Sequence, residues 1–70
     1  MKIKANDYNP NEIVKIIREW TGLTQEQFGQ AIHRSRHTVQ SMELGRCNVY
    51  LHTLLDMASQ YGLNITIEKK

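Results

Sequence analysis

Seventy residues, 40% of them hydrophobic and 23% charged, describe one small globular domain. A chain this short buries only about 60% of the surface its unfolded form exposes, which excludes a large core, a nucleotide-binding α/β domain and most enzyme scaffolds. It also points to a partner chain as a source of further burial. The net charge is +2, and its excess is local: Arg34, Arg36 and Arg46 face only Glu43 between residues 33 and 50, with His33 and His37 as added donors, while the flanking stretches balance. A basic patch of this kind points to a polyanion, although a solvated basic face reads the same way from charge alone.

The single cysteine, Cys47, excludes an internal disulfide framework and a multi-cysteine zinc site, and a free thiol suits a reducing cytosol. No apolar run approaches the roughly 18 residues of a membrane span. The opening MKIKANDYNPN lacks the apolar centre of a secretory signal. A cytoplasmic protein with no membrane partner is expected.

Residues 1–9 show little helical period and read as an arm or short strand, with Lys2–Ala5 as its candidate core. Asn9, Pro10 and Glu12 then make a helix start: a capping side chain, a proline where its missing N–H does no harm, and a glutamate at the capping-box position. Ile13, Val14, Ile16, Ile17 and Trp20 draw one apolar stripe, and Gly22 supplies the stop. Thr24 with Gln27 forms a second capping box, and Leu23 with Phe28 the hydrophobic staple, opening a helix to about Ile32. Gly29 inside it costs roughly 1 kcal/mol against Ala, which close approach by another helix explains.

Ser35 caps a third helix, Arg36 to Leu44, ended by Gly45. Only Val39 and Met42 make its apolar seam, leaving Arg36, His37, Gln40 and Ser41 on the opposite face with no core role. About three residues separate it from the preceding helix, which suits the steep crossing of a helix-turn-helix. A loop over Gly45–Tyr50 precedes a fourth helix marked by Leu51, Leu54, Leu55, Ala58 and Tyr61 and stopped by Gly62. Leu63, Ile65 and Ile67 then alternate with polar residues, the period of a strand.

The segment LTQEQFGQAIHRSRHTVQSMELG resembles the helix-turn-helix of the phage repressor and Cro family, also called the Xre family. Leu23, Thr24, Gln25, Glu26, Ala31, Ile32, Ser35, Thr38, Val39, Met42, Glu43 and Gly45 carry the match, and LxTLLxMAxxYGL from Leu51 to Leu63 is similar to that family's fourth helix. His33 stands where the family's turn usually has Gly, and Arg34 where it usually has an apolar residue. The C-terminal strand in place of a fifth helix resembles the antitoxin-type repressors. The implied fold is mainly α: a compact four-helix, lambda-repressor-like domain over residues 10–62, after an N-terminal arm or strand at 1–9, with a short β-strand at 63–70 paired across a dimer.

The resemblance implies sequence-specific double-stranded DNA binding by a small dimeric regulator, a repressor, reading a palindromic operator with its third helix in the major groove. Base contacts are then expected from Arg36, His37, Gln40 and Ser41, and backbone contacts from Gln25, Arg34, Thr38, Arg46 and Asn48. It also implies an ion pair between Arg18 and Glu43 that fixes the recognition helix; otherwise both are merely exposed. The strand is expected to pair through Leu63, Ile65 and Ile67 with its own copy in a homodimer, the rival partner being Lys2–Ala5 of the same chain.

The alternative function is an antitoxin or regulatory subunit acting through a toxin or regulator protein, although no long disordered tail is present to wrap one. Paired catalytic carboxylates, a Gly-rich phosphate loop and a nucleophile elbow are all missing from the sequence, so no enzyme is expected. No metal or cofactor is expected either: His33 and His37 stand four apart, but Ser35 begins a helix between them.

Overall fold

The computed structural model describes residues 1–69. A single 3-10 turn, Ala5–Asp7, precedes four helices: α1 (Pro10–Thr21), α2 (Gln25–Ala31), α3 (Arg36–Glu43) and α4 (Leu51–Gln60). Each of the first three begins on a side-chain cap. Asn9 accepts from the Glu12 amide at 2.9 Å while Glu12 accepts from the Asn9 amide at 3.3 Å. Thr24 and Gln27 make the same reciprocal pair at 3.1 and 3.0 Å, and Ser35 accepts from the Thr38 amide at 3.1 Å. Caps of this type each contribute about 1 kcal/mol, a material share for helices of seven to twelve residues that are marginal in isolation.

The core is one cluster to which every helix contributes: Val14 and Ile17 from α1, Phe28 from α2, Val39 and Met42 from α3, Leu54 and Met57 from α4. Phe28 is fully buried and stacks on Tyr61 with centroids 5.6 Å apart and planes 12° from parallel. Such a pair adds about 0.5–1.5 kcal/mol beyond its buried area. The Gln60 amide donates to the Ala31 carbonyl at 2.6 Å, tying the end of α4 to the end of α2.

Two sequence expectations are corrected. In α4 the stripe Leu51, Leu54, Leu55, Ala58 and Tyr61 packs only in part. Leu54, Met57 and Ala58 are buried and Tyr61 packs on the core, whereas Leu51 and Leu55 stay 60% and 46% exposed. Met57, three residues after Leu54, completes the buried face in place of Leu51 and Leu55.

The second correction concerns the strand. Among the described residues there is none, neither over 63–69 nor in the arm, where Ala5–Asp7 closes a 3-10 turn instead. A lone extended segment has no ladder to join, and Lys2–Ala5 does not supply one. The backbone bond from the Leu63 amide to the Ala58 carbonyl, 2.8 Å, is the last of the chain among the described residues. Ile65 and Ile67 remain 38% and 93% exposed. Lys70, at the end of the expected strand, lies outside the described residues.

Candidate nucleic-acid interface

The junction between α2 and α3 is built by close backbone approach. The Arg34 amide donates to the Gly29 carbonyl at 2.8 Å, and a Cβ on Gly29 would stand 2.6 Å from the Arg34 carbonyl oxygen and 3.3 Å from Ser35 backbone atoms. The neighbour that demands glycine is therefore the turn itself, not the body of another helix. His33 turns the chain with φ of 60°, the left-handed region in which His is more at home than a β-branched residue. Ser35 then caps α3 and sets its direction.

Val39 and Met42 anchor α3 in the core at 0% and 4% exposure. At 100° per residue, Arg36, His37, Gln40 and Ser41 fall within about 140° of arc on the other side. Arg36, His37 and Gln40 are exposed and Ser41 is half-buried. Thr38 is half-buried at the edge of this arc, its hydroxyl 3.0 Å from that of Ser35. Eight residues of helix are about 12 Å long, comparable to the roughly 12 Å width of the major groove.

Other cationic and polar side chains bracket the two ends of α3. Arg34 is exposed just before its N-terminus; Arg46 and Asn48 are exposed in the loop after its C-terminus. Gln25, in the first turn of α2, lies near that same C-terminal end, its amide 3.4 Å from Glu43 Oε1. In this conformation Gln25 is directed at Glu43 rather than outward.

Glu43 itself is turned inward. Arg18 grips it through a two-pronged contact, Nε to Oε2 at 2.6 Å and Nη2 to Oε1 at 2.9 Å, and uses Nη1 to reach the Leu23 carbonyl at 3.1 Å. The side chains are 17% and 5% exposed. The hydrogen bond to Glu43 raises the already high Arg18 pKa, against the opposing effect of burial. The pair locks α1 to the last turn of α3 and has an electrostatic consequence as well. The one carboxylate between residues 33 and 50 is neutralised from behind, so Glu43 does not offset the outward field of Arg34, Arg36 and Arg46.

Asn11 is a positioning residue that sequence reasoning missed. Its amide donates to the Met42 carbonyl at 2.7 Å and to the Cys47 carbonyl at 2.9 Å, holding the end of α3 and the following loop against the start of α1. An asparagine in the first turn of a helix signals only local structure, and nothing in the spacing announces a partner 31 residues away.

A shallow cleft of about 170 Å³ separates the His33–Arg34 turn from His52 and Asp56 on α4. Among the described residues no group of three or more His, Cys, Asp or Glu is placed to hold a metal ion, and no helix is long and apolar enough to cross a membrane.

A protein-family model described as a helix-turn-helix domain matches residues 14–66, about three quarters of the chain. No curated protein and no solved structure gives a significant match. The matched span contains α2, the glycine-dependent turn and α3 in full, and the chain belongs to the helix-turn-helix domain family, a family of DNA-binding proteins.

Proposed function

We propose that this protein is a sequence-specific double-stranded DNA-binding regulator of the Cro/Xre type, a repressor that acts as a homodimer on an inverted repeat, and not an enzyme. The observation that carries the reading is the outward flank of α3: Arg36, His37 and Gln40 project from a helix whose other side is sealed into the core. Arg36 is suited to a bidentate contact with guanine, and Gln40 to one with adenine. His37 and Ser41 complete the base-reading face. Arg34 and Thr38 at one end of α3, and Gln25, Arg46 and Asn48 at the other, take backbone phosphates and set the register. The inward Arg18–Glu43 pair fixes the helix that does the reading.

Residues 10–62 form the DNA-binding unit and residues 63–70 the dimer element, through Leu63, Ile65 and Ile67. No cofactor is required. Selection of bound sites from random duplex DNA tests the reading. The expected product is a palindrome with half-sites roughly 34–36 Å apart; an asymmetric site removes the dimer.

A second reading, an antitoxin or regulatory subunit acting through a protein partner, draws on the outward leucines of α4, Leu51 and Leu55. They stand one helical turn apart, on the same side of α4, as a protein contact would use them. No enrichment of any DNA site in the selection favours this second reading over the first.

A further inference from the structure

An apolar groove of about 310 Å³ lies between the end of α1, the link that follows it and the end of α4, lined by Trp20, Thr21, Leu23, Tyr61 and Leu63. It is on neither α3 nor the outward leucines of α4. The hydroxyl of Tyr61, one of its lining residues, is buried without a hydrogen-bond partner among the described residues, an unfavourable state for a polar atom. The groove ends where the tail begins: Leu63 both lines it and opens the alternating segment. That segment makes no backbone hydrogen bond after Leu63 among the described residues and exposes Ile67 almost completely.

We infer that this groove is the seat for the tail of a second copy of the chain, with Ile67 of one protomer entering the groove of the other. The inference rests on the dimeric reading above and specifies its register. Leu63, Ile65 and Ile67 share one face of an extended chain, because side chains alternate with period two. Two identical tails meeting antiparallel about a two-fold axis keep apolar opposite apolar only when the axis passes through a residue, since a one-residue slip reverses every face. An axis at Asn64 would draw Tyr61 and Gly62 into the pairing, but these close α4, with Gly62 at φ of 68°. An axis at Thr66 would set Leu63 against Lys69. An axis at Ile65 matches Ile65 with its own copy and Leu63 with the partner's Ile67.

Directly opposed residues lie about 4.5–5.5 Å apart between Cβ atoms. The partner's Ile67 is thereby delivered beside Leu63, over Trp20, Leu23 and Tyr61. One contact covers the exposed isoleucine, the open groove and the unsatisfied backbone of the tail together.

Trp20 is the only tryptophan and reports on the groove directly. In the full chain carrying Cys47→Ser, sedimentation and Trp20 emission are followed across concentration. The expected result is a dimer whose formation shifts Trp20 emission to the blue. Ile67→Asp should weaken dimerisation at least tenfold and abolish the shift, without altering the helical circular dichroism, because Ile67 is 93% exposed in the single chain. Ile65→Cys should oxidise to a linked dimer and Glu68→Cys should not. A dimer that leaves Trp20 unmoved, or that crosslinks through Glu68→Cys in preference to Ile65→Cys, overturns the seat and register while the dimeric reading stands. A chain that stays monomeric at all concentrations overturns both, and leaves DNA recognition to be judged by site selection.

Discussion

Helix α3 and the tail after Leu63 are both short and both carry a clean period, yet the fold treats them oppositely. Val39 and Met42 drop into a core that three other helices complete, and Ser35, Arg18 and Asn11 hold the cap, the last turn and the exit of α3. Leu63 reaches the core, but Ile65 stays 38% exposed and Ile67 93%. The difference teaches that a period states which side chains want a common surface, not whether the surface exists. For α3 the surface is intramolecular, and its polar flank is free for a ligand. For the end of the tail, the surface proposed above is that of a second copy.

The sharpest way to break the contrast is to release α3 from its anchors. Arg18→Ala leaves the Glu43 carboxylate, 5% exposed, without its counter-charge, and should cost about 3 kcal/mol in urea unfolding. Replacing both partners by apolar residues should cost less than this single change. A loss under about 1 kcal/mol would reduce the pair to an ordinary surface contact.

Gly29→Ala comes next. Alanine normally favours a helix interior by about 1 kcal/mol over glycine. Here its Cβ meets a backbone carbonyl at 2.6 Å, and overpacking of that kind costs about 1–3 kcal/mol. The usual gain should therefore be cancelled or inverted, to a net loss of up to about 2 kcal/mol. Improved stability would show that the turn can give way.

The third change leaves the fold alone and probes the free flank. Arg36→Ala should leave unfolding unaffected and cost ~1–3 kcal/mol of DNA binding, with preference relaxed at one base position. Arg46→Ala, in the loop beyond α3, should instead weaken all duplexes alike and lower the salt slope by about one. An unaltered site profile for Arg36→Ala removes it from the base-reading set.

The smallest effect concerns the tail's own groove and is read by pH. Burial raises the pKa of the Tyr61 phenol above its ordinary value. Up to about pH 9 the phenol is almost wholly neutral in both states. Above that, the unfolded chain gives up its proton first and binds fewer protons than the native one, so stability falls as pH rises. Tyr61→Phe should flatten that fall and cost little near neutrality, since the hydroxyl has no partner to lose. An unchanged alkaline slope would place the titration elsewhere.

Much of this architecture was legible in the linear chain because its signals are local. Asn9 with Glu12 and Thr24 with Gln27 lie three residues apart, and the caps they imply are satisfied within one turn. The polar flank of α3 was equally legible, because a helix with one narrow apolar seam has only one side to show. What resisted reading depended on contacts between distant segments. Asn11 acts on Met42 and Cys47, both more than 30 residues away, and nothing near Asn11 encodes them.

The order of the helices, their caps and the residues available for an outward basic surface follow from the amino-acid sequence by itself, since each depends on neighbours within a turn or two. Which apolar residues of α4 join Leu54 and Ala58 inside, which backbone presses on Gly29, and whether an alternating tail finds a ladder were decided only by the tertiary structure. Those outcomes depend on the angle and proximity of separate elements, and burial is a property of the assembled surface rather than of any one segment.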